Sequence, residues 1–131
     1  MDGNATWLEP DEAEVASWVA AVPTKGGRGA KYGGHLHLTT RRLVWLPLEV
    51  FVTYELGFAG SVGGKAWAMA LSDITRVEAD PERKALLHVV SRSDERASLL
   101  VGAGARTPLW SKKNRVARDE AVERISAALP G

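Results

Sequence analysis

The sequence contains no cysteine, so it has no disulfide framework, no thiol nucleophile and no Cys-ligated zinc. Neither sign of charge is in excess: 17 Lys and Arg against 16 Asp and Glu leave a net charge of +1. Such a balance gives no general attraction to nucleic acid or membrane, and any anion binding must come from a local cluster. Long hydrophobic runs are missing too. The longest apolar stretch, Leu43–Phe58, is shorter than the roughly 20 residues of a membrane-spanning helix and holds Pro47, Glu49 and Glu55. The opening MDGNATWLEPDEAEV is acidic and lacks the basic start and apolar core of a secretory leader, so a cytoplasmic protein is expected. A Gly-x-Ser-x-Gly elbow and an HExxH pair are also absent, and no enzyme is expected.

What remains is ordinary for a globular chain: 131 residues, 45% hydrophobic and 25% charged. One domain over 1–131 with its core at about 14–129 is the simplest reading. The most informative stretch is Gly33–Pro47, GGHLHLTTRRLVWLP, which reads as strand, tight turn, strand. Leu36 and Leu38 share one face and His35 and His37 the other, because side chains two apart on a strand point the same way. Trp67, Met69 and Leu71 alternate with alanines as a further strand. Asp80-Pro81 is a turn in which aspartate caps and proline presets the backbone. It separates a strand ending near Ala79 from Ala85–Ser91, and a polar turn then leads to Ala97–Val101. Trp45 and Trp67 are expected to face inward, and the other tryptophans are read mainly as core. From about Asn114 to Leu129, with Val122, Ile125 and Leu129 at helical spacing, an amphipathic helix capped by Asn114 is predicted. Between Asp11 and Val22 two patterns compete: Val15, Trp18, Val19 and Val22 fit a helix, whereas Ala16, Trp18, Ala20 and Val22 fit a strand.

Leu36-His37-Leu38-Thr39-Thr40-Arg41-Arg42-Leu43-Val44-Trp45 resembles the central hairpin of GRAM and pleckstrin-homology-like (PH-like) domains. Leu71-Ser72-Asp73-Ile74-Thr75-Arg76-Val77 resembles a second block of the same family. The resemblance spans about 14–129 and implies a mainly β fold, a seven-stranded antiparallel partly open barrel capped by one C-terminal helix. It also favours the strand for 14–22, after a short helical turn at 10–13. Usage of Ala, Gly and Arg suggests a bacterial source.

Each candidate for chemistry has a plain competitor. His35 and His37, even with His88, lack a placeable acidic ligand, so no metal site is expected. The glycine-rich run Ala59–Ala66 resembles a phosphate loop, but Ala66 follows Lys65 where a magnesium-binding hydroxyl is needed, so neither nucleotide nor other cofactor is expected. Lys25, Arg28 and Lys31 sit in a Gly-rich loop able to face an anion. Lys112, Lys113 and Arg115 form a second basic cluster, leading into the helix. Phe51, Tyr54 and Phe58 belong to a long apolar connection that can meet a partner. With no interleaved aromatic platform, nucleic-acid binding is not expected. The sequence therefore reads as a non-catalytic binding module for a protein partner or a second copy. The alternative is peripheral binding to an anionic, phosphoinositide-like membrane surface.

Overall fold

Among the described residues, alternation of large apolar and small or polar side chains resolves into seven strands and one helix. The computed structural model describes residues 7–25, 30–47, 65–102 and 112–130. In order these are β1 (Glu14–Pro23), β2 (Ala30–Thr39), β3 (Arg42–Pro47), β4 (Trp67–Ala70), a 3-10 turn (Leu71–Asp73), β5 (Ile74–Ala79), β6 (Leu86–Ser91), β7 (Arg96–Gly102) and α1 (Lys112–Ala128). The mainly β architecture with one C-terminal helix is as expected, and Asp11–Val22 resolves as turn and strand.

All seven strands belong to one antiparallel sheet in the order β4-β3-β2-β1-β7-β6-β5. The two outermost strands, β4 and β5, are joined by only three residues. A flat sheet would hold these edges some 29 Å apart at about 4.8 Å per strand, so the sheet must curl until its ends approach. That curl makes the partly open barrel.

The concave side carries the core: Trp18, Leu36, Leu38, Leu43, Trp45, Ile74, Val77, Leu87, Val89, Leu99 and Val101, closed by Ala121 and Ile125 of α1. Trp45 is fully buried, and its indole N–H donates to the Ala20 carbonyl at 3.0 Å. Trp67 only leans on the core, because it lies on the short edge strand β4 and keeps one side open. Trp7 is likewise half-buried. Gly34 sits beneath the Trp45 ring, where an added Cβ would stand 2.6 Å from the indole and 2.3 Å from the Leu46 carbonyl. Only glycine fits there.

The helix begins two residues before the predicted Asn114 cap. Asn114 is wholly buried and lies inside the first turn rather than at the cap position. Beyond Ala128 the helix ends just short of Pro130, whose ring disfavours helical backbone in the residue before it.

Candidate binding cleft beside the first strand

Three polar clusters are committed to holding the fold. In the first, the carboxylate of Glu12, with no side-chain exposure, accepts bonds from Arg42 Nε at 2.7 Å and Nη2 at 2.8 Å and from the Glu9 amide at 3.0 Å. The Thr39 hydroxyl also donates to Glu12 and accepts the amides of Arg41 and Arg42, which closes the β2–β3 turn. Arg42 above all holds the Glu12 carboxyl down at about 2, against its burial. Arg42 Nη2 further donates to the Trp7 carbonyl. The Thr-Thr-Arg-Arg run that suggested a family is thus a clamp on the N-terminal segment.

In the second cluster, His88 bridges Ser98 Oγ at 2.7 Å and Asp80 Oδ1 at 3.0 Å. A serine, a histidine and an aspartate in one relay suggest a nucleophile, but the surroundings favour a turn lock. Asp80 Oδ2 accepts the amides of Glu82 and Arg83, as expected for a capping aspartate, and Ser98 is paired with His88 in the β6–β7 ladder. The bond from His88, with these two amides, keeps the Asp80 carboxyl down at about 2. A cleft of about 440 Å³ beside this turn is lined by Asp80 but by neither His88 nor Ser98.

The third cluster centres on Arg118. Its Nη1 donates to the carbonyls of Asp80, Arg83 and Leu86, and its Nε pairs with Asp119 at 2.9 Å. Among the described residues every buried side-chain nitrogen or oxygen has a hydrogen-bond partner.

The predicted basic residues fall in two places. Lys25 is exposed in the β1–β2 connection and Lys31 near the start of β2, its ammonium 5.3 Å from the Tyr32 ring centroid. Lys112, Lys113 and Arg115 are exposed on the first turn of α1. Arg115 lines the cleft beside the β5–β6 turn with Arg83 and Lys84, whereas Lys25 and Lys31 do not. Arg28, Phe51, Tyr54 and Phe58 lie outside the described residues, as does most of the glycine-rich run. His35 and His37 do share a face, with ring centroids 6.2 Å apart. His37 meets Glu14 at 2.6 Å, while His88 is three strands away across the sheet, because β1 and β7 intervene. Among the described residues no three His, Cys, Asp or Glu side chains form a metal-ligand group.

A different surface lies between β1 and α1. Among the described residues the β1–β7 ladder holds three pairs, Val19 with Gly102, Ala20 with Val101 and Ala21 with Leu100. Among the described residues no strand pairs with Glu14–Trp18 on that side. The Val101 amide donates to Ala85 on the β6 side, so Leu100 and Gly102 turn their polar groups to β1, and odd-numbered β1 residues turn theirs to β7. By the same alternation Ser17 turns its backbone groups to the β7 side. The β1–β2 register shifts between Glu14 and Ala16, and there the Val15 carbonyl accepts from Arg124 Nη2 at 3.5 Å.

A cleft of about 400 Å³ lies along this edge, lined by Ala16, Ser17, Trp18, Val19, His35, Gly102, Ala117, Glu120 and Arg124. Glu120 accepts the Trp18 indole N–H across it at 3.2 Å. Burial, then the charge of nearby His37, lowers the pKa of His35 at its margin. The adjoining outer face of α1 presents Val116, 71% exposed, and Val122 among Asp119, Glu120 and Glu123. Sequence reading missed this cleft, since it joins β1 to a helix far along the chain, as the 102-residue span from Trp18 to Glu120 shows. Val116, an exposed valine off the helix's core stripe, was the one visible signal.

Neither a protein-family model nor a curated protein matches the chain. Among solved structures it is similar to the C-terminal domain of an unknown protein from Leishmania infantum, at 12% identity and a TM-score of 0.57, covering 89% of this chain and 84% of that one. This likeness concerns the fold alone.

Proposed function

We propose that the chain is a non-catalytic binding module of the PH-like or GRAM kind, which holds another polypeptide at the cleft between β1 and α1. The observation that supports this is the cleft of about 400 Å³ between β1 and α1, beside which, among the described residues, no strand pairs with Ser17. Unpaired edges are templates for another chain, and proteins usually blunt or cover them. The polar clusters elsewhere are spent on turns and on anchoring the helix. Selection of random peptides displayed on phage against the immobilised protein tests the reading, together with light scattering across concentration for a second copy as partner. Enrichment of peptides that compete with one another, or a concentration-dependent dimer, is expected. Failure of both removes the reading.

A second reading is favoured by the exposed cations Lys25, Lys31, Lys112, Lys113 and Arg115. They suit an anionic bilayer, at about 1 kcal/mol per cation near the surface. Co-sedimentation with anionic and neutral vesicles, wild type against Lys25→Glu/Lys31→Glu, decides it. Lipid binding requires charge-selective, salt-sensitive sedimentation that the double variant loses. Equal behaviour on both vesicle types ends it.

A further inference from the structure

We infer that His35 and His37 chelate one divalent cation of the nickel, copper and zinc group, with Glu14 holding His37 in its coordinating orientation from the neighbouring strand. The site does not depend on the β1–α1 cleft accepting a polypeptide, although His35 lines the margin of that cleft.

The sequence places two histidines on one strand face without a carboxylate to accompany them, and folding supplies the carboxylate. β1 and β2 pair so that Ser17 stands opposite His37 and Val19 opposite His35. Glu14, at the start of β1, brings its Oε2 to 2.6 Å from His37 Nδ1. A carboxylate only accepts hydrogen bonds, so a neutral His37 carries its proton on Nδ1 and keeps the lone pair on Nε2. A carboxylate so placed fixes the tautomer and ring orientation of a metal-ligating imidazole and raises its basicity. The tautomer of His35 is unconstrained: among the described residues none hydrogen-bonds its ring, so either nitrogen can coordinate.

Spacing agrees with a shared ion. The two ring centroids are 6.2 Å apart, with their planes inclined at 43°. Two imidazoles on one tetrahedral zinc, with Zn–N bonds of about 2.1 Å, hold their centroids about 5 Å apart, so side-chain rotation over roughly 1 Å closes the chelate without moving the strand. Both rings are partly exposed, His37 at 17%, which leaves an ion a route to them. On the other flank β3 pairs Leu46 with His35 and Val44 with His37. Directly opposed side chains share a face, and these two bring no competing donor. The chain thus gives two histidine ligands rather than a group of three, and water completes the shell. Imidazole suits zinc, copper and nickel, whereas magnesium and calcium prefer oxygen ligands.

Isothermal calorimetry of the whole chain with zinc tests the site. Saturable binding of one ion per chain is expected, undiminished by excess magnesium or calcium. Three histidines and no cysteine make the assignment direct. His35→Asn and His37→Asn should each weaken zinc by about tenfold or more, and Glu14→Gln, which keeps both ligands, by about tenfold. His88→Asn, three strands away, should leave the affinity unchanged. Should a variant misfold by circular dichroism, proton resonances of the unaltered protein decide: substoichiometric copper(II) must broaden the imidazole signals of His35 and His37 and spare those of His88. No saturable binding, affinity unchanged by the folded histidine variants or by Glu14→Gln, or broadening centred on His88 overturns the inference, and none of these results touches the binding-module reading.

Discussion

A carboxylate with no solvent contact depends on whatever neutralises it, and for Glu12 that is Arg42. Removing one member of such a buried pair leaves an uncompensated charge, so Arg42→Met should destabilise the protein by about 3–5 kcal/mol. Glu12→Leu/Arg42→Met should recover most of that loss, and urea denaturation of the three proteins measures it. Acid acts on the same residue. The Glu12 carboxyl is depressed from 4.5 unfolded to about 2 folded, so its stabilisation is complete above about pH 4.5 and fades as pH falls toward 2. The loss amounts to about 3 kcal/mol at most, and Glu12→Gln should flatten the stability-versus-pH curve over that window. At this scale the sequence was half legible. Thr39 and Arg42 stood out in the turn signature, but Glu12 lies 30 positions before Arg42 in a stretch without period, so only the folded chain brings them together.

Elements meet through a few polar anchors laid over apolar packing, and α1 shows this best. Arg118 joins the helix to the β5–β6 turn through three carbonyls gathered around Nη1 while Nε holds Asp119; a lysine ammonium ends one bond short of Nη1 and has no second nitrogen for Asp119. Arg118→Lys should therefore cost about 2 kcal/mol or more in thermal or urea unfolding, despite keeping the charge. Amides of the Asp80–Ala85 turn should exchange faster with deuterium in that variant. Between β2 and β3 the limiting feature is space. Gly34→Ala places its Cβ against the Trp45 ring and the Leu46 carbonyl, and overpacking of this sort costs about 1–3 kcal/mol. The strands were readable because alternation and turn chemistry agree over Leu36–Trp45 and Ala79–Val101. The helix start was not, because Asn114 resembles a cap while its side chain is buried. The cleft was least readable of all, since only the folded chain brings β1 against a helix so distant in sequence.

At the scale of the molecule, strands from both ends of the sheet and the C-terminal helix contribute to one core. A single cooperative transition is expected, with far-ultraviolet dichroism and tryptophan fluorescence coincident in urea. Ile125→Ala, at the fully buried contact of α1 with that core, should lower the midpoint of the entire transition by the equivalent of about 2–5 kcal/mol rather than release the helix alone. The ladder between Val19–Ala21 and Leu100–Gly102 unites residues some eighty positions apart. During translation β1 and its hairpin must therefore wait until β7 has left the ribosome. Folding of this sheet is thus paced by its late strands, and a nascent chain halted before Gly102 is an aggregation hazard rather than a smaller working version.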